Sequence, residues 1–376
     1  MLQSIKKVIL RGISNIPGWS TNRHIIVIES DDWGSIRMPS KEVYKELSSN
    51  GVKFSTYGYD QYDTLASRED LQNLFEVCDS VRDINNRPAV ITANCVVGNP
   101  NFEKIKESGF NEYYYEPMTE TLSRYYPNSP PFNLWLEGLE KGYFFPQLHG
   151  REHVNVQMWL NSLRENHFGA RAAFEKRVFT FLVTQAEDYR IKNTAAFLAN
   201  DDKEKVFYYK SIIEAQDLFY RLFGYRSESF IAPSFIWDKD IEQWLSEVGV
   251  NYLQGMPISL IDKKRHFNYI GKRNAFGQCY LIRNAVWEPT QHPLRDNNGV
   301  CLQQISLAFK WHKPATISSH RLNYIGALDI NNRDQNLKRL KELLVDIKRI
   351  WPDVEFMNSV ELGSLIRYSI KKNGTE

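Results

Sequence analysis

Short runs of apolar, mostly β-branched residues alternate with longer segments of helical periodicity along most of this chain. The first run, Ile25 to Ile28, is apolar at every position, which is typical of a strand buried on both faces of a parallel sheet. Further strands are predicted near residues 89–94, 143–148, 229–233, 250–254, 279–282, 315–319 and 354–357. Helical patterns are predicted near residues 41–49, 67–83, 171–189, 203–223, 239–247, 333–350 and 359–370.

This alternation of strands and helices indicates parallel βαβ units. About seven to eight strands predict an α/β fold, namely a distorted or incomplete (β/α) barrel, with an open doubly wound sheet as the alternative. No polar linker divides the chain, so residues 1–376 are predicted to form a single domain with a core at about 24–365. The stretch at about 154–225 is predicted to be a helical elaboration of that domain. No glycine-rich nucleotide motif follows a strand, which disfavours nucleotide-binding versions of the fold.

Charge and composition narrow the classes of partner. The net charge is +2 and no long basic stripe is present, so no nucleic-acid partner is expected. The four cysteines are scattered without a CxxC pair, which suggests neither a disulfide framework nor a cysteine zinc site. No run of about 18 apolar residues is present, and Met1 to Ile16 has no apolar core of a signal peptide. We therefore expect no integral membrane segment and a cytoplasmic location; the sequence does not specify an oligomeric state.

Aromatic residues are abundant, with 9 Trp, 20 Tyr and 21 Phe. Such residues either fill the core or line a cleft that stacks on flat-faced ligands such as sugars. Trp33, Trp237 and Trp287 follow or end predicted strands, so each has both interpretations open: packing in the core, or forming a wall of a sugar site.

Polar residues terminate several of the predicted strands. In a barrel, the carboxyl ends of the strands converge on one face, so residues distant in sequence would share one pocket there. The residues concerned are Asp31 and Asp32, Asn94, His149, Pro233 with Ser234, and His320. Adjacent carboxylates such as Asp31 and Asp32 repel each other unless a cation or a proton relieves them. Capping of the next helix is the alternative interpretation of this pair.

The segment His149-Gly150-Arg151-Glu152-His153 gives a second chemical signal. Histidines four residues apart share one face of a helical turn and can bind one ion, although two ordinary surface histidines have the same spacing. Together with a strand-end aspartate they form a set of two imidazoles and one carboxylate. Such a set suits Zn²⁺ or a similar divalent ion and leaves positions open for water and substrate.

These motifs resemble those of the polysaccharide deacetylases, also called the NodB-homology family or carbohydrate esterase family four. The resemblance spans about residues 24 to 365, in the family's order, and the chain is a divergent member by this criterion. The matching segments are Glu29 to Trp33, His149 to His153, Ile231 to Ser234, Ile317 to His320 and Phe356 to Leu362.

The resemblance implies a distorted barrel that holds a divalent metal, most often zinc, and acts on a carbohydrate. Asp32, His149 and His153 would be the metal ligands. Asp31 would be the general base and His320 the general acid. A backbone N–H near Ser234, in the segment that begins at Pro233, would stabilise the oxyanion.

Some positions depart from the family's motifs. Trp33 replaces the glycine that follows the two aspartates, and Ile231 replaces the arginine that pairs with the catalytic aspartate. Arg151 is a candidate substitute for that arginine. The fourth motif is assigned to Trp287-Glu288, with Glu288 as the residue that would orient His320.

The sequence therefore predicts a metal-dependent hydrolase that removes an acyl group, most simply N-acetyl, from a carbohydrate or a sugar-linked precursor. Asn94, Trp33, Arg151 and Ser234 are predicted among its supporting or substrate-binding residues. A weakened barrel that binds metal and glycan without turnover is one alternative. A glycosidase or an amidase on a related barrel is another.

Overall fold

The computed structural model describes residues 15–54, 57–181 and 193–372. Its helices are Lys41–Ser49, Tyr59–Tyr62, Arg68–Asp79, Phe102–Glu107, Met118–Tyr125, Phe132–Glu140, Val156–Arg164, Phe168–Glu175, Asp202–Phe223, Asp240–Glu247, Asn297–Lys310, Ile330–Ile350 and Ser359–Lys372. Its strands are β1 (Ile25–Trp33), β2 (Ile91–Cys95), β3 (Gly98–Pro100), β4 (Tyr115–Pro117), β5 (Phe144–Leu148), β6 (Ser229–Phe230), β7 (Ile236–Trp237), β8 (Tyr252–Gly255), β9 (Ile258–Ile261), β10 (Lys264–Phe267), β11 (Cys279–Ile282), β12 (Ala285–Val286), β13 (Ala315–His320) and β14 (Glu355–Met357).

The main sheet is parallel and has β1 near its middle. Its strand order is β11-β8-β6-β5-β2-β1-β13-β12, and β14 pairs with the amino-terminal part of β1. All nine residues of β1 are buried, as the continuous apolar run predicted for a strand covered on both faces. Helices flank the sheet, so the architecture is an incomplete (β/α) barrel. This confirms the predicted fold class.

The two edges of the sheet are joined by a very short connection. β11 forms one edge and β12 the other, and only Arg283 and Asn284 separate them. The Arg283 backbone N–H donates to the Gly255 carbonyl at the end of β8, and the Asn284 N–H donates to the Thr316 carbonyl in β13. The main chain therefore crosses directly from one edge of the incomplete barrel to the other.

Most of the predicted helices between the strands form where the pattern placed them. The first begins after Ser40, whose side chain accepts a hydrogen bond from the Val43 N–H, as expected for an N-cap. Between β5 and β6, the described residues form helices Val156–Arg164, Phe168–Glu175 and Asp202–Phe223. The helix predicted at 171–189 already ends at Glu175, and part of that prediction, residues 182–189, lies outside the described residues.

The core beside β1 is rich in aromatic side chains. Trp33 packs edge-on against Phe144 at a ring-centroid distance of 4.7 Å and lies parallel to Tyr324 at 6.2 Å. Trp135 also packs edge-on against Phe144, at 5.1 Å. Much of the aromatic content thus stabilises the fold. Among the described helices, none combines the length and the apolar composition that a membrane span requires.

Candidate active site

An irregularity at the end of β1 brings two adjacent aspartates to the same cavity. Consecutive side chains of a regular strand point to opposite faces. Here the register between β1 and β2 shifts between Ser30 and Trp33, and Asp32 adopts a φ of 73°. This bulge breaks the alternation, so Asp31 and Asp32 both line the cavity.

Asp32 lies between the two histidines of the second motif. One ligand atom from each of Asp32, His149 and His153 lies within 4.8 Å of the others, and all three side chains are buried. Asp32 Oδ1 is 3.5 Å from His149 Nε2 and 3.1 Å from His153 Nε2. Arg37 Nη2 donates to the other oxygen, Asp32 Oδ2, at 3.2 Å.

The tautomer of His149 can be derived from its contacts. Its Nδ1 lies 2.9 Å from the Ile231 carbonyl oxygen, which can only accept, so Nδ1 carries the proton. Nε2 faces Asp32 Oδ1 at 3.5 Å and, although it is buried, has no hydrogen-bond partner. Burial also lowers the pKa of His153 and outweighs the attraction of Asp32. Two imidazoles facing one carboxylate are the donor set of a divalent metal such as zinc.

Asp31 is held by an arginine that follows β11. Arg283 binds Asp31 through two parallel hydrogen bonds, from Nη1 to Oδ2 at 2.7 Å and from Nη2 to Oδ1 at 2.6 Å. Asn94 Nδ2 adds a bond to Oδ1 at 2.8 Å. Burial would raise the pKa of Asp31, but Arg283 outweighs burial and lowers the pKa to about 2. Asp31 is therefore ionised and fixed in orientation.

A second buried carboxylate shares the same arginine. Glu29 stands two residues before Asp31, on the same face of β1, and accepts from Arg283 Nε at 2.6 Å. Its other oxygen accepts from the Ser359 hydroxyl at 2.7 Å. Burial raises the pKa of Glu29, while Arg283 opposes that rise. Glu29 thus fixes Arg283 from behind, and Arg283 fixes Asp31.

His320 stands next to Asp31 on the neighbouring strand. The two residues are register partners of β13 and β1, and His320 Nε2 lies 3.8 Å from Asp31 Oδ2. The other ring nitrogen, Nδ1, lies 2.6 Å from Glu288 Oε1, and Asn323 Nδ2 donates to Glu288 Oε2 at 2.7 Å. Burial would lower the pKa of His320, but Glu288 outweighs it and raises the pKa to about 9. His320 is therefore a protonated imidazolium at neutral pH.

These groups surround a small cavity of about 150 Å³. One wall is the turn Pro233–Phe235, in which Ser234 has a φ of 61° and bonds through its hydroxyl to Thr194 at 2.9 Å. Pro233 begins this turn and is buried. The lining residues are Asp31, Asp32, Arg37, Tyr59, His149, His153, Thr194, Ala232, Ser234, Phe235 and His320.

Two tryptophans predicted beside the site lie elsewhere. Trp33 is buried in the aromatic core, where its indole N–H donates to Ser30. Trp287 is likewise buried, stacked on Tyr324, and donates to Asn298. Neither side chain lines the cavity, so both tryptophans pack in the core and do not form a wall of the site.

Arg151 does not replace the missing arginine. Its guanidinium binds Glu152 and Glu214 and lies over the Tyr115 ring at 4.4 Å. Asp31 is instead paired with Arg283. Because the carboxylates of Glu152 and Glu214 neutralise it, Arg151 stabilises the segment that carries the two histidines.

Sequence reasoning missed Arg283, Arg37 and Tyr59. Arg283 follows the predicted strand at 279–282, so the rule that strand ends face the site would have identified it. Arg37 lies in the connection after β1 and Tyr59 begins the short helix Tyr59–Tyr62, and no sequence pattern distinguishes either residue from its neighbours. Tyr59 contacts the His320 ring edge-on at 5.3 Å and lies under the Arg37 guanidinium at 4.9 Å.

No protein-family model matches the sequence. Among solved structures, the chain is similar to a protein of Parabacteroides distasonis assigned as a glycoside hydrolase/deacetylase, with 9% identity over 93% of this chain and 73% of the other and a TM-score of 0.50. A protein of Pseudomonas aeruginosa PAO1 assigned as a polysaccharide deacetylase gives 11% identity, coverage of 93% and 92%, and a TM-score of 0.45.

A 4-alpha-glucanotransferase of Thermococcus litoralis gives 10% identity over 90% of this chain and a TM-score of 0.49, and the chain spans 40% of its length. At 9% identity, the similarity to the Parabacteroides distasonis protein shows a shared fold alone. At the level of the fold, this similarity confirms the resemblance drawn from the motifs.

Proposed function

We propose that the protein is a metal-dependent hydrolase that removes an acyl group, most simply N-acetyl, from a carbohydrate. The observation that carries the proposal is the arrangement around Asp32: two imidazoles and one carboxylate converge, and a buried nitrogen of His149 has no partner. An ionised aspartate and a protonated histidine flank this set on the same cavity. These are the parts that acyl transfer to water requires.

Asp32, His149 and His153 would hold the ion. Their buried nitrogen and oxygen donors suit zinc, and the absence of a partner for His149 Nε2 supports an occupant between the three side chains. When bound, a divalent ion supplies a Lewis acid for the acyl carbonyl and lowers the pKa of water. Arg37 keeps Asp32 Oδ2 occupied, so Asp32 offers Oδ1 toward the histidines.

The two flanking residues would move the protons. Asp31 is ionised and accepts a proton from the attacking water through the oxygen nearer the cavity. His320 is protonated through its pairing with Glu288 and donates from Nε2 to the departing amine, or to the alkoxide of an ester. The distance of 3.8 Å between His320 Nε2 and Asp31 Oδ2 leaves room for the reacting atoms between them. A backbone N–H at Ser234, which lines the cavity, would stabilise the oxyanion.

The alternative of a binding barrel without turnover rested on the missing arginine at Ile231. Arg283 binds Asp31 through two hydrogen bonds from another strand end. The absence of an arginine at position 231 is therefore no longer a reason to expect a barrel without turnover. We therefore favour an active hydrolase. The identity of the sugar and of the acyl group stays a prediction.

The test begins with purified protein loaded with zinc. Bound metal is quantified, and acetate release is measured from N-acetylglucosamine oligomers and from O-acetylated sugars, with and without a chelator. We expect release that the chelator abolishes and zinc restores. Asp32→Ala and His149→Ala should each lose both metal and activity. His266→Ala is the matched control, because His266 is exposed on β10 and lies outside the site.

The outcomes separate the hypotheses. Stoichiometric zinc with no acyl release from any acetylated sugar would favour the binding barrel. Full metal content in both Asp32→Ala and His149→Ala would mean that the ion is held elsewhere. Release of reducing ends from an unacetylated oligosaccharide would favour a glycosidase.

A further inference from the structure

Arg37 is a charged side chain at the cavity, and the proposed hydrolysis assigns it no contact with the substrate. It lies beyond the end of β1 and is only 3% exposed, yet it contributes to the cavity lining. Burial would lower the pKa of Arg37, but the carboxylates of Asp32 and Asp63 outweigh burial and raise it. A full positive charge is therefore held at the wall of the site.

The contacts of Arg37 leave one end of the guanidinium available. Nη2 donates to Asp32 Oδ2 at 3.2 Å, and Nε forms an ion pair with Asp63 Oδ2 at 3.2 Å. Nη1 donates no hydrogen bond to the described residues, and it is not among the buried atoms that lack a partner, so it is accessible from the cavity that Arg37 lines. The fork is fixed by two carboxylates and by the Tyr59 ring beneath it, so the free Nη1 is held in one place.

Charge balance around Arg37 changes when a metal occupies the site. Asp63 is already paired with Arg321, whose Nη2 lies 2.9 Å away, so Asp32 is the main counter-charge of Arg37. A divalent ion at Asp32 would neutralise that carboxylate. The charge of Arg37 would then be compensated only in part, by Asp63, which it shares with Arg321, beside a cavity where few water molecules can screen it.

We propose that Arg37 makes this site select acylated sugars that carry a carboxylate close to the acyl group. The proposal rests on the proposed function and specifies its substrate class. A carboxylate accepts a charge-assisted hydrogen bond from the free Nη1, and it is smaller than the tetrahedral sulfate and phosphate groups that sugars also carry. The cavity of about 150 Å³ favours the small anion. A neutral N-acetylated sugar in the cavity would displace water from this cationic donor without providing an anionic partner.

Equilibrium binding tests this inference without depending on turnover. Zinc-loaded protein carrying Asp31→Asn, which is meant to prevent hydrolysis, is titrated calorimetrically with N-acetylglucosamine. The same protein is titrated with two carboxylated relatives, N-acetylglucosaminuronic acid and N-acetylmuramic acid, whose carboxylates occupy different positions. We expect at least one of the acids to bind about tenfold more tightly than the neutral sugar, as one charge-assisted hydrogen bond provides.

Substitutions at Arg37 in the same background identify the source of the preference. Arg37→Gln should reduce it to about twofold or less, and Arg37→Lys should retain part of it because the charge is kept. Metal content is measured for each variant. The ratio of the affinity for the acid to the affinity for the neutral sugar is compared between variants, so a general loss of binding is not mistaken for a loss of the preference.

Three results would overturn the inference: equal affinity for acid and neutral sugar, a preference that persists in Arg37→Gln, or no binding of either acid. The first of these needs no Arg37 variant to fold. Acetate release from neutral N-acetylglucosamine oligomers bears only on the proposed function. A failure of the substrate class is therefore distinguishable from a failure of the hydrolase assignment.

Discussion

Replacing Arg283 by methionine would test how Asp31, the proposed general base, is held. The arginine joins two buried carboxylates, Glu29 and Asp31, and no solvent reaches its side chain. Removing one partner of a buried ion pair costs about 3–5 kcal/mol, because the remaining charge is left without compensation. The lowering of the pKa of Asp31 from 3.8 to about 2 accounts by itself for roughly 2 kcal/mol of that cost in stability.

The sign of the pH dependence follows from that shift. A lowered pKa of Asp31 in the folded protein stabilises the fold above about pH 4, and this contribution is lost as the pH falls through about 2. In Arg283→Met, burial of Asp31 is unopposed and raises its pKa above the ordinary value. The acidic limb of the pH–rate profile should therefore move to higher pH.

The assays are urea unfolding, the pH dependence of kcat/KM, and bound zinc. We expect Arg283→Met to lose about 3–5 kcal/mol of unfolding free energy. Its kcat at neutral pH should fall by at least about 100-fold, the typical contribution of a general base, while zinc stays bound. Arg333→Met is the matched control. Arg333 is also a buried arginine, paired with Asp70 and Glu69 away from the cavity.

The control should lose stability without losing kcat in the folded fraction. If Arg283→Met were folded, retained its zinc and had the kcat and acidic limb of the wild type, Arg283 would not act on the base. An equal loss of kcat in Arg333→Met would point to a general loosening of the fold.

Three further predictions concern the acid, the metal and the core. His320 has a pKa of about 9, so activity should fall as the pH rises through about 9, and Glu288→Gln should move this alkaline limb to lower pH; a profile unchanged by Glu288→Gln would refute the pairing. His149→Gln should weaken zinc binding at least about tenfold in a competition assay with a chromogenic chelator; unchanged affinity would exclude His149 as a ligand. Trp33→Ala should cost about 3–5 kcal/mol in urea unfolding without raising KM, because Trp33 fills the core; a raised KM with intact stability would instead place it in the site.

The sequence was sufficient to predict the barrel and most of the polar groups around the cavity. Apolar runs mark the strands because both faces of a parallel sheet are buried, and residues at their ends converge whatever lies between them in sequence. This is why Asp31, His149 and His320 could be predicted to meet, although 289 positions separate the first from the last. The same geometry brings Asn94 to Asp31.

The orientation of these side chains and the choice of their ion-pair partners could not be predicted from the sequence in the same way. The bulge that turns Asp32 to the cavity depends on a backbone φ of 73°, an uncommon conformation for a residue other than glycine that no sequence pattern specifies. Arg151 and Arg283 are both arginines near strand ends, and only the fold decides which one reaches Asp31. Trp33 follows the aspartates directly, yet the bulge directs it into the core.

The position of Arg283 has a consequence for how related sequences are compared. The ends of several strands lie within reach of one carboxylate, so the cation that supports it can be donated from any of them. A residue can then disappear from its usual motif while its chemical contribution is supplied from another strand, 52 positions further along in this chain. Sequences that lack an arginine at the position of Ile231 should accordingly be inspected in three dimensions before they are classed as inactive.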